Sequence, residues 1–154
     1  MPTEVIWVQA NDAERGGYSG TSVECPVWSR VEACIERAFR FGGQVKLYSG
    51  TRGADERVTL GTFIGMESNL GEFRLIYSPE TRPDEKTKQR EWWEPGDTAF
   101  RGTTVFHGHE WDDRTVCRDI SVAMHMFRDF FEHGDLTEVS LSQTRSVWDR
   151  KPRG

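Results

Sequence analysis

The stretch CPVWSRVEACIERAFRFGG, residues 25–43, sets Val27, Trp28, Val31, Cys34, Ile35 and Ala38 three and four positions apart. This spacing collects the apolar side chains into one stripe of a helix over about 26–41, with Pro26 placed for the first turn and Gly42 for the C-terminal cap. DDRTVCRDISVAMHMFRDFFEHGD, residues 112–135, repeats the pattern with Val116, Ile120, Ala123, Met124, Phe127, Phe130 and Phe131. A second helix is expected over about 116–133, capped by Asp112, Asp113 or Thr115 and ended by Gly134. A helix that is apolar on one side only must bury that side against another layer, so these two stripes demand a partner that the helices alone do not supply.

The rest of the chain supplies it. Val45 and Leu47 in QVKLY, Phe73, Leu75 and Tyr77 in EFRLIY, and Val139 and Leu141 in EVSLS alternate with polar residues at a period of two, the mark of half-buried strands. EVIWV, VTLGTFIGM and TTVFHG complete a set of about six. SNLGEF reads as a hairpin turn built on Asn69 and Gly71, and Gly61 and Gly65 mark a bulge or a close approach of backbones. Strands clustered between two helices predict an α+β fold, an antiparallel sheet with both helices on one face. At 154 residues the expectation is a single domain, residues 1–154, with a polar exposed loop over 78–90 and a flexible basic tail over about 145–154.

The start, MPTEVIWVQAND, offers an apolar run of only four residues, too short for a signal sequence or a membrane span, and this reads as cytoplasmic. Cys25, Cys34 and Cys117 have no CxxC spacing, and are read as reduced thiols with Cys34 and Cys117 in apolar surroundings. The net charge of −5 is local. Residues 91–113 hold Glu91, Glu94, Asp97, Glu110, Asp112 and Asp113 against the single base Arg101, while acids and bases balance over the remainder. The same segment carries Trp92, Trp93 and Trp111.

Within that segment, HGHEWDD packs two histidines and three carboxylates into residues 107–113. On a continuous strand His107 and His109 would share a face, and a neighbouring carboxylate could complete a metal site, the basis for a small metal-dependent enzyme as an alternative reading, beside a structural or regulatory binding module that would need only the fold. H-x-H alone is a weak signal, and Asp112 and Asp113 suit a helix N-terminus, so no metal and no cofactor are assigned. His125 and Asp129, four apart on a helix, read as a surface pair rather than an acid–base couple. GGYSGTS lacks the spacing of a phosphate loop, GxSxG is absent, and no catalytic residue is assigned. The bases of the tail read as solvated, with no direct nucleic-acid contact. Adjacent tryptophans in extended chain point to opposite faces, which predicts at least one exposed indole among carboxylates. Glu91, Trp92, Trp93, Glu94, Asp97, Glu110, Trp111, Asp112 and Asp113 are thus read as one acidic, partner-binding surface, with aromatic anchors and charges that steer a basic partner.

LGTFIGMESNLGEFRLIY, the strand TTVFHGHEW, and AMHMFRDFFEHGDLTEVSLS resemble the small immunity proteins that protect bacteria from secreted polymorphic toxins. The resemblance covers about residues 58–142, whereas GGYSGTSVECPVWSRVEACIERAFRFGGQVKLY is similar to uncharacterised bacterial domains. It implies a non-enzymatic inhibitor that binds one toxin domain, many such toxins being nucleases or deaminases with basic clefts.

Overall fold

The computed structural model describes residues 3–12, 21–79, 89–96 and 98–148, without the side chain of residue 60. Strands β1 (Thr3–Asp12), β2 (Thr21–Glu24), β3 (Gly43–Arg52), β4 (Val58–Ser68), β5 (Phe73–Ser78), β6 (Arg90–Trp92) and β9 (Thr144–Ser146) form one sheet in the order β2-β1-β3-β4-β5-β6-β9. Every neighbouring pair is antiparallel. Strands β7 (Thr103–Phe106) and β8 (His109–Asp112) make a separate hairpin. Helices α1 (Trp28–Phe41) and α2 (Ile120–His133) pack against each other and on β3 and β4, with α1 reaching β1 as well. The expected α+β layering therefore holds, with more strands than the six foreseen.

Between these layers, Val8, Val45, Leu47, Ile64, Phe73 and Leu75 from the sheet meet Val31, Ile35, Ala38, Phe127 and Phe130 from the helices, all essentially inaccessible to water. Full burial of side chains of this size stabilises the fold by roughly 1.5–3 kcal/mol each, which is why both apolar stripes end on the sheet.

Helix α1 starts two residues later than predicted: Val27 takes the N-cap position, and Pro26 stands before it instead of in the first turn. Helix α2 starts four residues later than predicted. Its cap is Asp119, whose carboxylate accepts from the Ser121 N–H at 3.0 Å, while Cys117 exchanges backbone hydrogen bonds with Phe73 at the sheet. That bridge holds Val116 and Cys117 out of helical geometry. Asp112 caps only a short 3-10 turn over Asp113–Thr115. Gly134 ends α2 in left-handed conformation, φ 72°.

The strand predicted at EVSLS is instead a short helix, α3 (Glu138–Leu141), with Val139 65% exposed. Asp129 of α2 fixes its start by accepting from both the backbone N–H and the hydroxyl of Thr137. Strand β9 follows at once and occupies the start of the predicted tail; residues 149–154 lie outside the described residues, as do 80–88 of the predicted loop. At the β4–β5 turn it is Leu70 and Gly71, rather than Asn69, that adopt positive φ. Gly61 is the extra residue of a bulge, since Thr62 pairs with Ser49 and Leu60 with Gly50.

Candidate functional site

The acidic segment does not form the surface its composition suggests, because its charges are met by arginines within and beyond it. Glu91 lies in β6 at 2% exposure and accepts from Arg74 of β5 at 2.8 Å, with Arg74 itself 3% exposed. Asp112 is gripped by Arg114 through Nε at 2.9 Å and Nη2 at 2.7 Å, again fully inside. Arg101 bridges Glu94 and Asp113, each at 2.5 Å, and Arg118 reaches both Asp113 and Glu72. Burial alone would raise Asp113, but hydrogen bonds from Arg118, Thr104 and Arg101 outweigh it and hold its carboxyl well below the usual range. Glu94 is likewise lowered, chiefly by its hydrogen bond with Arg101.

Both adjacent tryptophans are buried, which corrects the expectation of an exposed indole. Trp92 and Trp93 do point to opposite sides as extended chain requires. Trp92, 6% exposed, joins the core beneath the helices. Trp93, 4% exposed, is enclosed by two cations, with the guanidinium of Arg114 4.8 Å and that of Arg145 4.5 Å from its ring. Glu91, Trp92, Trp93 and Asp112 therefore support the structure from within and cannot touch a partner of the folded chain. Asp97 lies outside the described residues. What remains partly or wholly exposed is Glu94, Glu110, Trp111 and Asp113.

These residues surround the β7–β8 hairpin. Its turn is His107–Gly108, both at positive φ, so Phe106 pairs with His109 across it. His107 thus lies in the turn and His109 opens β8, so the two do not share one strand face and the H-x-H geometry is lost. His107 stands 3.6 Å from Glu67 of β4, and among the described residues no three His, Cys, Asp or Glu side chains gather as a metal would need. The hairpin lies on the sheet face that the helices leave open, and it is fixed there by Trp111, whose ring sits 3.5 Å from the Arg74 guanidinium. The outward side carries Val105, 63% exposed, with Glu110 paired across from it.

The remainder of that face, which no described helix covers, holds residues that the sequence does not single out. Trp7, Tyr48 and Phe63 stand in register across β1, β3 and β4, with the Tyr48 and Phe63 rings 5.4 Å apart. Partial burial in this row pushes the Tyr48 phenol up. One signal was available: EVIWV is apolar at consecutive positions instead of alternating, which puts large side chains on both faces of a strand.

A family model, described as a family of unknown function and designated DUF6911, matches residues 9–140. The chain belongs to this family. The matched part of this DUF6911 protein takes in both long helices and the whole hairpin, and stops short of β9. The crystal structure of a hypothetical protein from Neisseria gonorrhoeae is similar to the DUF6911 chain, with a TM-score of 0.59 at 10% identity over 90% of this chain and 92% of that one. Likeness at that identity concerns the fold alone. Among curated proteins none matches the DUF6911 chain. No helix among its described residues is long and apolar enough to cross a membrane.

Proposed function

We propose that this DUF6911 protein is a non-enzymatic immunity protein that binds and neutralises a bacterial toxin domain, engaging it through the outer side of the β7–β8 hairpin. The observation that carries the choice of surface is the way the hairpin is held. It lies outside the main sheet, yet ion pairs through Arg101, Arg114 and Arg118 and the stacking of Trp111 on Arg74 fix it from several directions. A surface ordered before the encounter loses little entropy on binding, and this lowers the cost of association. The resemblance of residues 58–142 to immunity proteins supports the same reading.

On this reading the partner-binding surface is narrower than the one expected from sequence. Val105 is its apolar contact, Glu110 and the rims of Glu94 and Asp113 the acidic ones. A basic, nucleic-acid-targeting toxin acting in the cytoplasm remains the fitting partner, but arginines neutralise most of the acids, so contact should contribute more than long-range steering.

Co-expression with the toxin encoded by a neighbouring gene tests the proposal. Wild-type protein is expected to restore growth and co-purify with the toxin, while Val105→Asp combined with Glu110→Lys, shown by circular dichroism to be folded, is expected to do neither. Rescue by that folded variant would overturn the choice of surface. Absence of binding by the wild-type protein to any neighbouring gene product would overturn the immunity reading.

A further inference from the structure

We propose that the helix-free face of the sheet, centred on Gly65, is a binding site for a neutral saccharide, separate in its chemistry from the hairpin's outer surface.

Two adjoining concavities, of about 280 Å³ and 230 Å³, lie on this face and meet at Gln44 and Lys46. Their floor is the row in which Gln9 pairs with Lys46, Lys46 with Gly65, and Gly65 with Ile76. One register step away runs the aromatic row of Trp7, Tyr48 and Phe63. Trp7 is pinned by its indole N–H, which donates to the Ser22 hydroxyl at 2.7 Å.

Gly65 is the informative residue. It sits inside β4, near the middle of the sheet, where glycine costs about 0.5–1 kcal/mol relative to alanine. Its backbone does not require glycine, since it is not among the positive-φ positions. Crowding does not require it either: a Cβ there would meet the Phe63 ring at 3.5 Å and Lys46 Cγ at 3.6 Å, ordinary contacts. What the missing side chain does is keep the floor open beside an aromatic ring, the circumstance in which a strand glycine serves the close approach of another molecule.

The lining selects the ligand. Gln9, Gln44 and Gln89 offer neutral amides that both donate and accept, and Lys46 contributes one cation. Arg74, at the far end, is already paired with Glu91, and Glu67 faces His107. A phosphate or a nucleic-acid strand would call for several uncommitted cations, and the net charge of −5 opposes it. A purely apolar ligand would bury the amides without partners, at a cost of about 1–3 kcal/mol for each group. A pyranose ring answers both halves of the site: its C–H face stacks on Phe63, and its hydroxyls, donors and acceptors at once, exchange hydrogen bonds with the amides. The near-neutral site is thus matched to a neutral ligand. With two concavities side by side, a chain of at least two sugar units fits better than one.

Titration of 15N-labelled protein with chitotetraose, cellotetraose and maltotetraose, followed by amide chemical shifts, tests the site. At least one is expected to give saturable shifts at Lys46, Gly65 and the glutamine side-chain amides, with Kd of order 0.1–1 mM, typical of an affinity resting on few contacts. Gly65→Val should weaken that binding by about tenfold or more by filling the floor. Gln44→Ala, at an exposed position that does not endanger folding, should weaken it several-fold. A hexauridylate serves as the polyanion control and is expected to leave the spectrum unchanged. The proposal is overturned if none of the three saccharides binds saturably, if binding is untouched by Gln44→Ala and by a folded Gly65→Val, or if hexauridylate alone binds.

Discussion

Replacing Glu91 by Gln would leave the shape of β6 intact and remove one charge from a pair that water does not reach. At the observed 2.8 Å the attraction between Arg74 and Glu91 is about 6 kcal/mol for an effective dielectric of 20. The desolvation of two ions offsets most of it, several kcal/mol for each. The intact pair therefore contributes little net stability, whereas the loss of one member strands a guanidinium at 3% exposure. Glu91→Gln is expected to destabilise the fold by about 3–5 kcal/mol. For a chain of this size each kcal/mol corresponds to about 2–4 °C, so the midpoint of thermal unfolding should fall by roughly 6–20 °C. Arg74→Met should cost as much, and it also removes the cation on which Trp111 stacks. The double variant Arg74→Met/Glu91→Gln should cost well below the sum of the two singles, because no buried charge is then left alone. Urea unfolding followed by tryptophan fluorescence measures all four proteins. Singles that each cost under about 1 kcal/mol and add in the double would refute the argument, since additivity means the two side chains do not share one buried interaction.

Asp113 titrates lower in the folded than in the unfolded chain, so its hydrogen bonds with Arg118, Thr104 and Arg101 stabilise the fold fully above the unfolded value near 3.9 and less as pH falls below it. Asp113→Asn should lose about 2 kcal/mol at pH 7 and show a shallower decline between about pH 5 and pH 2, read by urea unfolding across that range. Asp119→Ala, which removes the α2 cap, should lower stability in the same assay, and an unchanged stability would mean that the helix end is satisfied otherwise. Phe127→Ala should cost about 3–5 kcal/mol, whereas Val139→Thr, on the exposed side of α3, should stay within about 0.5 kcal/mol; a strand at that position would reverse the expectation for Val139.

Both long helices were legible because their apolar stripes run for four turns, and β3, β4 and β5 because alternation persists long enough to exclude a helix. Three alternating residues are not long enough: EVSLS satisfies a strand and a helical turn equally, and the tie from Asp129 to Thr137 decides for the turn. Strands β6 and β9 span three residues each, too few for any period to show. The acidic segment was misread for a different reason. Local composition counts charges but not their partners, and Arg74 and Arg145, which meet Glu91 and Trp93, stand 17 and 52 positions away in sequence. A tryptophan enclosed by two guanidinium groups has no sequence signature at all. Of the strand expected over TTVFHG only Thr103–Phe106 is strand; the turn at His107–Gly108 shows only in their backbone angles.

The place of β9 bears on how the protein is made. Strand β6 has one neighbour in β5 and the other in β9, and the backbone of Trp93 is met by Gln143 just ahead of that last strand. A ribosome that has released the chain only as far as α2 has delivered nearly every core side chain while the outer edge of β6 still has no mate. Until residues 143–146 emerge, that edge is open to strands of other nascent chains on the same message. The interval is short, about 0.5–3 s at ordinary elongation rates.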